Sequence, residues 1–294
     1  MSDESPDLPV LEAVAARAVR AGGDYLRDAF RDREIEAEYG THDVKSAADE
    51  AAEARIVDVI ADAFPGHAVH GEESGRNGED RHEWVVDPLD GTNNFAAGLP
   101  SFASAVCVLR DGRPVVSAVY EPLPDTTYLA RRGGGATVDG EPTRAESDRT
   151  LPQGTVSFVV GLPAVRDETH RATAERVESA VAAECKRVVN TWSPCVDWGL
   201  LASGHLEGLV AYRPDVYEHY AGTLLAGEAG VERRVVDLDG DEYGAKGGDS
   251  ESHRSDPATD IGVDGLYVAA PDASKLEALL EAATGALDGV SAPE

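Results

Sequence analysis

Lysine is nearly missing from this chain: Lys45, Lys186, Lys246 and Lys275 are the only four in 294 residues, and every other basic residue is arginine. Basic charge of any kind is scarce, with 26 Lys+Arg against 55 Asp+Glu and a formal net charge of -29. A nucleic-acid binder needs a cationic surface to replace the counterions around phosphates, and an anionic membrane surface makes the same demand, so neither is expected as a partner. Long apolar runs are absent too: none approaches the ~20 residues of a membrane span. The acidic start, Met1 to Asp7, lacks the cationic and apolar regions of a secretory signal, so a cytoplasmic protein is expected. Cysteine is limited to Cys107, Cys185 and Cys195, an odd number without close Cys or His partners, which argues against a disulfide framework or a zinc knuckle. What is present is 42% hydrophobic residues with charge spread along the chain, which excludes a disordered acidic tail and requires a buried core.

Apolar residues at helical spacing predict a helix over 8–32, with Gly22-Gly23 as a weak spot, and a second from Ser46 to Pro65, opened by a shortened capping box of Ser46 and Asp49. The period then changes. Residues 67–71 and 84–87 read as two buried strands that deliver acidic loops to a common edge, and 103–109, 115–120 and 127–130 read as an antiparallel meander. Gly133-Gly134-Gly135 lacks the following helix and Lys-Ser/Thr of a phosphate loop. The polar stretch 141–154 marks a boundary, so residues 1–145 are expected to form an α+β half carrying the motifs and 146–294 an α/β half completing the site. In the second half, strands are expected at 155–160, 186–189, 206–212 and 265–270, and helices at 167–184, 196–202, 220–229 and 273–283. A charged loop at 249–260 precedes the last strand.

Chemistry concentrates in Gly71-Glu72-Glu73 and in the run from Trp84 to Phe95, which contains Asp87-Pro88-Leu89-Asp90-Gly91-Thr92. A strand is expected to end at Asp87, where Pro88 prevents continued pairing, and Asp90-Gly91 turns the chain into a short helix at Thr92. Asp87 and Asp90 then converge with Glu72 from the neighbouring strand end. Three carboxylates in one pocket stay ionised only with cations between them, and magnesium is the hard, oxygen-seeking candidate. The backbone amides of Gly91 and Thr92 provide an anion site beside the metals. His70 and His82 flank the first acidic loop and read as ordinary strand-end residues, because a histidine ligand would favour a softer metal.

The Gly-Glu-Glu and the Asp-Pro-hydrophobic-Asp-Gly-Thr-x-Asn-Phe run resemble the signature of the inositol monophosphatase family of magnesium-dependent phosphatases, which includes archaeal fructose-1,6-bisphosphatases and 3'(2'),5'-bisphosphate nucleotidases. Asp43 to Asp49 and Leu225 to Val231 are similar to two further family segments. The resemblance implies an α/β fold, an alternating α/β/α/β/α layered sandwich, and two or three Mg2+ ions. It also implies that Glu72, Asp87 and the carbonyl of Leu89 hold one ion and that Asp87 and Asp90 hold a second. Thr92, supported by Glu72 or Asp49, would orient the attacking water, while Asp90 and the Gly91 and Thr92 amides meet the substrate. A small-molecule phosphate ester as partner and a homodimer as the usual assembly follow from the same likeness.

The pattern breaks at two places. The family's late aspartate is replaced by Glu218, within Tyr217-Glu218-His219-Tyr220-Ala221-Gly222, which keeps the charge on a longer arm; Asp215 is the rival ligand, displaced from the expected helix start. The wall facing the leaving alcohol reads Arg187 to Cys195, where Trp192 and Pro194 alter the family's small-residue segment and Arg187 is the candidate match to its arginine. Arg213 reads as a surface ion pair rather than a second phosphate contact. The expected function is hydrolysis of an inositol-1-phosphate-like polyol or sugar phosphate by metal-activated water. Fructose-1,6-bisphosphatase or nucleotidase activity, or a catalytically impaired metal-and-anion-binding homologue, are the alternatives.

Replacing lysine by arginine and carboxylate gives a composition similar to that of halophilic archaeal proteins, in which salt screens surface self-repulsion. The melting temperature is therefore expected to rise from low to multimolar KCl. A flat or falling curve in a thermal melt would refute that reading of the charge.

Overall fold

The computed structural model describes residues 7–33, 37–40, 44–238 and 265–287. Asp43, Lys246 and the charged loop at 249–260 lie outside the described residues. The first helix, α1 (Leu8–Asp32), has Pro9 in its first turn and buries Leu11, Val14, Ala15, Ala18, Val19 and Leu26. The Gly22-Gly23 pair does not interrupt it. Those glycines are where neighbours come closest, since a Cβ on Gly22 would stand 2.8 Å from Ile56 and one on Gly23 would run into the Tyr120 ring. Strands β1 (Ala37–Tyr39) and β2 (Val44–Ser46) pair antiparallel before α2 (Ala47–Ala63). The expected capping box is there: Ser46 Oγ accepts from Ala48 N at 3.1 Å, and Asp49 Oδ2 accepts from Ser46 N at 3.0 Å.

Next come β3 (Ala68–Gly71), β4 (Gly75–Asn77), β5 (His82–Asp90), the six-residue α3 (Thr92–Ala97), and the meander β6 (Ala103–Arg110), β7 (Arg113–Glu121) and β8 (Thr126–Arg131). With β9 (Gly135–Val138) and β10 (Glu141–Thr143) these strands form an eight-stranded sheet in the order β10-β9-β8-β7-β6-β5-β3-β4. The second half contributes β11 (Thr155–Val160), α4 (Leu162–Arg166), α5 (Glu168–Glu184), β12 (Arg187–Val189), α6 (Pro194–Ala202), β13 (Gly208–Tyr212), α7 (Val216–Glu228), β14 (Glu232–Asp237), β15 (Gly265–Ala270) and α8 (Ala273–Gly285). Its five-stranded sheet runs β12-β11-β13-β15-β14. The loop at Gly133 to Gly135 is an internal anion cradle: the Gly133 and Gly135 amides donate to the two oxygens of Glu228 at 2.8 and 2.9 Å.

The structure corrects two local expectations. Strand β5 does not stop at Asp87. It continues past Pro88 to Asp90, and its register against β6 shifts from Asp87↔Ala105 to Asp90↔Ala103. One extra residue on β5 makes a bulge, which accommodates a proline that has no N–H to pair. Helix α7 begins at Val216, four residues earlier than expected, so Asp215 is its N-cap rather than a residue displaced from the helix start.

Strand alternation sorts the apolar residues into layers. Trp84, Val86, Val106 and Val108 meet α1 and α2 on the outer face of the first sheet. Val85, Ala105 and Cys107 face inward and share one cluster with Trp198 and Leu201 of α6, Ala221 and Leu225 of α7, and Leu209, Ala211, Tyr267 and Ala269 of the second sheet. Val156, Phe158, Val210 and Val268 face out towards α5 and α8. The order is helix, sheet, helix, sheet, helix, so both ends of the site hang from a single inner core. In that core α6 and α7 cross closely, and a Cβ on Gly222 would overlap the Trp198 ring. Gly222→Ala is therefore expected to destabilise the fold by about 1–3 kcal/mol through overpacking, read as a lower melting temperature.

Candidate active site

The β5 bulge determines the site. Asp87 and Asp90 are three residues apart, so on a regular strand they would point to opposite faces. The extra residue resets the parity, and both side chains line one cavity of about 470 Å³. Gly91, with φ 92°, turns the chain directly into α3, and a Cβ there would stand 2.9 Å from the Ser101 carbonyl oxygen. Glu72 and Glu73 reach the same cavity from the end of β3, Asp49 from the start of α2, and Asp215, Tyr217 and Glu218 from the start of α7. All the residues expected at the site, Asp49, Glu72, Asp87, Leu89, Asp90, Gly91, Thr92 and Glu218, line this cavity together. Arg187 does not line it; its Nε donates to Thr155 Oγ1 at 3.1 Å on the edge of the second sheet.

Hydrogen bonds divide these carboxylates by task. Asp49 Oδ1 lies 3.0 Å from Thr92 Oγ1, whose other neighbour at 3.0 Å is the Leu89 carbonyl, so the helix-capping aspartate also aims the threonine hydroxyl. Asp90 Oδ2 accepts from Ser193 Oγ at 2.7 Å and from Cys195 N at 2.8 Å. Glu218 Oε1 accepts from the Asp215 backbone N–H at 3.1 Å in a capping box, while Asp215 Oδ2 accepts from Leu162 N–H at 3.1 Å. Asp87 is different: it is 4% exposed, and its Oδ1 has no hydrogen-bond partner among the described residues.

Electrostatics follow from this crowding. Burial first, then Glu72, Asp90 and Glu218, hold the Asp87 carboxyl well above the usual carboxylate range. Burial, followed by Asp215 and Asp90, does the same to Glu218. Asp90 is raised by burial although Ser193 and Cys195 oppose the shift. Glu72 keeps surface at the open side of the cavity, yet the concave wall surrounds its carboxyl, and that desolvation with Asp49 and Glu73 raises it. Burial pushes Asp49 and Asp197 up to about 7 each. An orphaned buried carboxylate oxygen amid carboxyls that resist ionisation is what a divalent cation would satisfy, and the donor set is oxygen. Asp87, Asp90 and Cys195 also place ligand atoms within 4.8 Å of one another, but the cavity wall runs through Pro194 and not through Cys195.

A second cluster, His67, Asp80 and His82, has the same compactness and different chemistry. Trp84 Nε1 donates to His67 Nδ1 at 3.0 Å, and Arg110 Nε donates to His82 Nε2 at 3.1 Å. Each imidazole therefore carries its proton on the nitrogen a metal would need. The rings stack at 4.7 Å, and burial lowers both pKa values, so the cluster packs as neutral imidazoles.

Comparison with known proteins gives the family. The profile of the inositol monophosphatase family matches residues 7–283. The chain belongs to the inositol monophosphatase family. It is a phosphatase of that family, with the family's layered fold. It is 34% identical over 223 residues to "Nus factor SuhB" of Escherichia coli, covering 74% of this chain and 82% of that protein. It is 33% identical over 235 residues to the "Fructose-1,6-bisphosphatase/inositol-1-monophosphatase" of Aquifex aeolicus, covering 79% and 86%. Among solved structures, the SuhB protein of Bartonella henselae superposes with a TM-score of 0.78 at 24% identity, covering 95% of this chain and 99% of that one. The inositol monophosphatase of Anabaena gives 0.74 at 22%, covering 97% and 98%.

Three residues at this family site were not singled out by the sequence. Glu53 of α2 accepts from the Glu73 and Ser74 amides at 2.9 and 2.8 Å and so holds the loop bearing Glu72; a Cβ on Gly71 would stand 2.5 Å from that carboxyl. Ser193 anchors Asp90 from the other half of the chain. Asp197, one turn into α6, accepts from Ser157 Oγ at 2.7 Å and lines the cavity. The one signal in the sequence that bears on Glu53 is Gly71, directly before Glu72, because a glycine permits a close approach.

Two outcomes follow. Groups whose folded pKa is raised favour the folded state at low pH, and that contribution is lost as pH rises through about 7, the value reached by Asp49 and Asp197. Metal-free protein should therefore lose stability from acid to pH 8, and a divalent cation should restore it while releasing protons. Calorimetry in buffers of different ionisation enthalpy measures the release; cation binding without proton release would contradict the raised carboxyls. Glu53→Ala should weaken cation binding about 10–100-fold by loosening the Glu72 loop, measured by titration against the parent protein.

Proposed function

We propose that this chain is a Mg2+-dependent phosphatase that hydrolyses a small polyol or sugar phosphate monoester of the inositol-1-phosphate kind. The observation that supports this most is the Asp87 oxygen without a hydrogen-bond partner among the described residues, beside Asp90, Glu72 and Glu218 and in the same cavity as the Thr92–Asp49 pair. In this reading Glu72, Asp87 and the Leu89 carbonyl would hold one ion, and Asp87, Asp90 and Glu218 would hold another. Glu218 suits the position because one of its oxygens is used by the helix cap and the other is left over. Bound there, the cations would supply Lewis-acid chemistry, lowering the pKa of a water and neutralising phosphate charge.

The chain's own residues would do the rest. Thr92, its hydroxyl aimed by Asp49 and supported by Glu72 at the open side, would orient the attacking water. The amides of Gly91 and Thr92 would hold a phosphate oxygen, with Asp90 kept in place by Ser193 and Cys195. A relative named for both fructose bisphosphate and inositol phosphate chemistry supports a sugar or polyol leaving group. Other relatives are named Nus factors, but a net charge of -29 disfavours a direct nucleic-acid contact here. A cytoplasmic homodimer in a salt-rich cell completes the proposal.

A panel of inositol 1-phosphate, fructose 1,6-bisphosphate and adenosine 3',5'-bisphosphate, assayed in multimolar KCl with and without magnesium, tests it. Inositol 1-phosphate should be hydrolysed fastest and only with the cation. Asp90→Asn should cost about 100-fold in kcat or more while the fold persists, because it removes a ligand and relieves carboxylate repulsion. No hydrolysis of any ester by folded, magnesium-loaded protein would leave only a metal-and-anion-binding role.

A further inference from the structure

Val10, Leu99 and Trp192 are the only large apolar side chains left exposed among the described residues, and Trp192, 45% exposed, is the only aromatic of the three and the only one that lines the cavity. Its backbone has φ 56°, the left-handed region that an L residue with a bulky side chain avoids. The conformation is imposed from both sides. Thr191 O accepts from Asn94 Nδ2 at 2.7 Å, and Ser193 Oγ donates to Asp90 Oδ2 at 2.7 Å, so the residues before and after Trp192 are tied to the two ends of the Asp90 to Asn94 segment. Ser193 N also donates to Thr191 Oγ1 at 3.1 Å across the turn. A strained, doubly anchored turn thus holds a large indole in water at the edge of the cavity, where glycine would fit without strain. The indole makes no hydrogen bond and meets no other aromatic ring among the described residues. The second half lines the same cavity with Leu162, Val165 and Pro194 beside Trp192, and with Arg166, Arg171, Glu175, Glu178 and Asn190, so apolar surface for a ring stands among charged and polar groups.

We propose that Trp192 is a specificity residue that packs its indole face on the ring of the ester's leaving group, selecting cyclic over acyclic alcohol phosphates. The proposal rests on the phosphatase reading for its reaction, but the contact itself does not require turnover. An aromatic face gains contact with a flat or CH-lined ring and offers little to a short flexible chain. A polyol or sugar ring and a nucleobase share that chemistry, and the substrate arms separate them.

Wild type, Trp192→Gly and Trp192→Phe would be assayed with inositol 1-phosphate, adenosine monophosphate and glycerol 2-phosphate at saturating magnesium in high KCl. Trp192→Gly should lower the ratio of kcat/KM for the cyclic esters over glycerol 2-phosphate about tenfold, chiefly through KM, with Trp192→Phe in between. Its melting temperature should not fall, since glycine suits the left-handed turn, so a lost preference cannot be assigned to misfolding. The cyclic ester that loses more identifies the ring. Equal losses on all three esters, or none, would overturn the proposal. Fluorescence gives an independent reading, because Trp84 and Trp198 are buried and the wild-type emission minus that of Trp192→Phe belongs to the exposed indole. Titration with inositol 1-phosphate or adenosine monophosphate should change that difference signal. A change without hydrolysis would sustain the ring contact while the phosphatase reading falls, and no change would refute the contact whether or not esters are hydrolysed.

Discussion

Carboxylates crowded into one cavity, four of them around Asp87 and Asp90, impose a requirement that the rest of the molecule meets. Asp87, Asp90, Glu72 and Glu218 arrive from two strand ends and one helix start, and after burial the other three all help to raise Asp87. Left alone, they would repel or protonate, and either outcome wastes the precision with which they are placed. The layered fold makes the crowding tolerable. The inner core, in which Val85 of one sheet shares a cluster with Trp198, Leu209 and Tyr267, binds the two halves together behind the acids. Repulsion at the cavity is opposed by apolar burial directly beneath it.

The same constraint explains why several residues carry two duties. Asp49 closes the capping box of α2 and aims Thr92; Glu218 closes the capping box of α7 and faces Asp87 and Asp90. Capping a helix fixes a carboxylate to within a hydrogen bond of the backbone, so a side chain that caps is already pre-oriented for whatever lies beyond it. Glu53 extends the principle to a loop: by accepting from two successive amides it gives the Glu72 segment the rigidity of a secondary-structure end. Among the described residues none of these acids is held by a surface salt bridge, whose worth would vary with salt.

Local signals in the sequence were read well where the physics is local. Helix α1, strands β11 and β15, and the Ser46 cap were legible because periodicity and capping act within a few residues. The acidic motif was legible because its residues are contiguous and resemble a known family. What failed was non-local or a matter of parity. Pro88 looked like a terminator, since a proline does break pairing, but a bulge lets the strand resume on the other side of it. Asp215 looked displaced because the helix start was inferred from apolar residues, whereas Val216 to His219 are helical by virtue of the cap. Glu53, Ser193 and Asp197 reach their partners across 20 to 103 residues of chain, distances over which no spacing rule operates.

Charge in this protein works at two scales that call for separate reasoning. Dispersed over the surface, a net -29 repels a phosphate ester as it repels nucleic acid, and salt confines that repulsion to a range of about 8 Å at physiological ionic strength and less in brine. Gathered at the bulge, acid attracts phosphate only through the cations it binds, over a range set by contact. Long-range steering is therefore unavailable as a source of selectivity, and discrimination among esters has to come from surfaces that touch the leaving group. That shifts weight from the acidic motif to the wall formed by the second half, where Trp192 stands exposed at the cavity. In the proposed reading, the clustered carboxylates would serve the bond that is broken and the wall around Trp192 the choice of molecule.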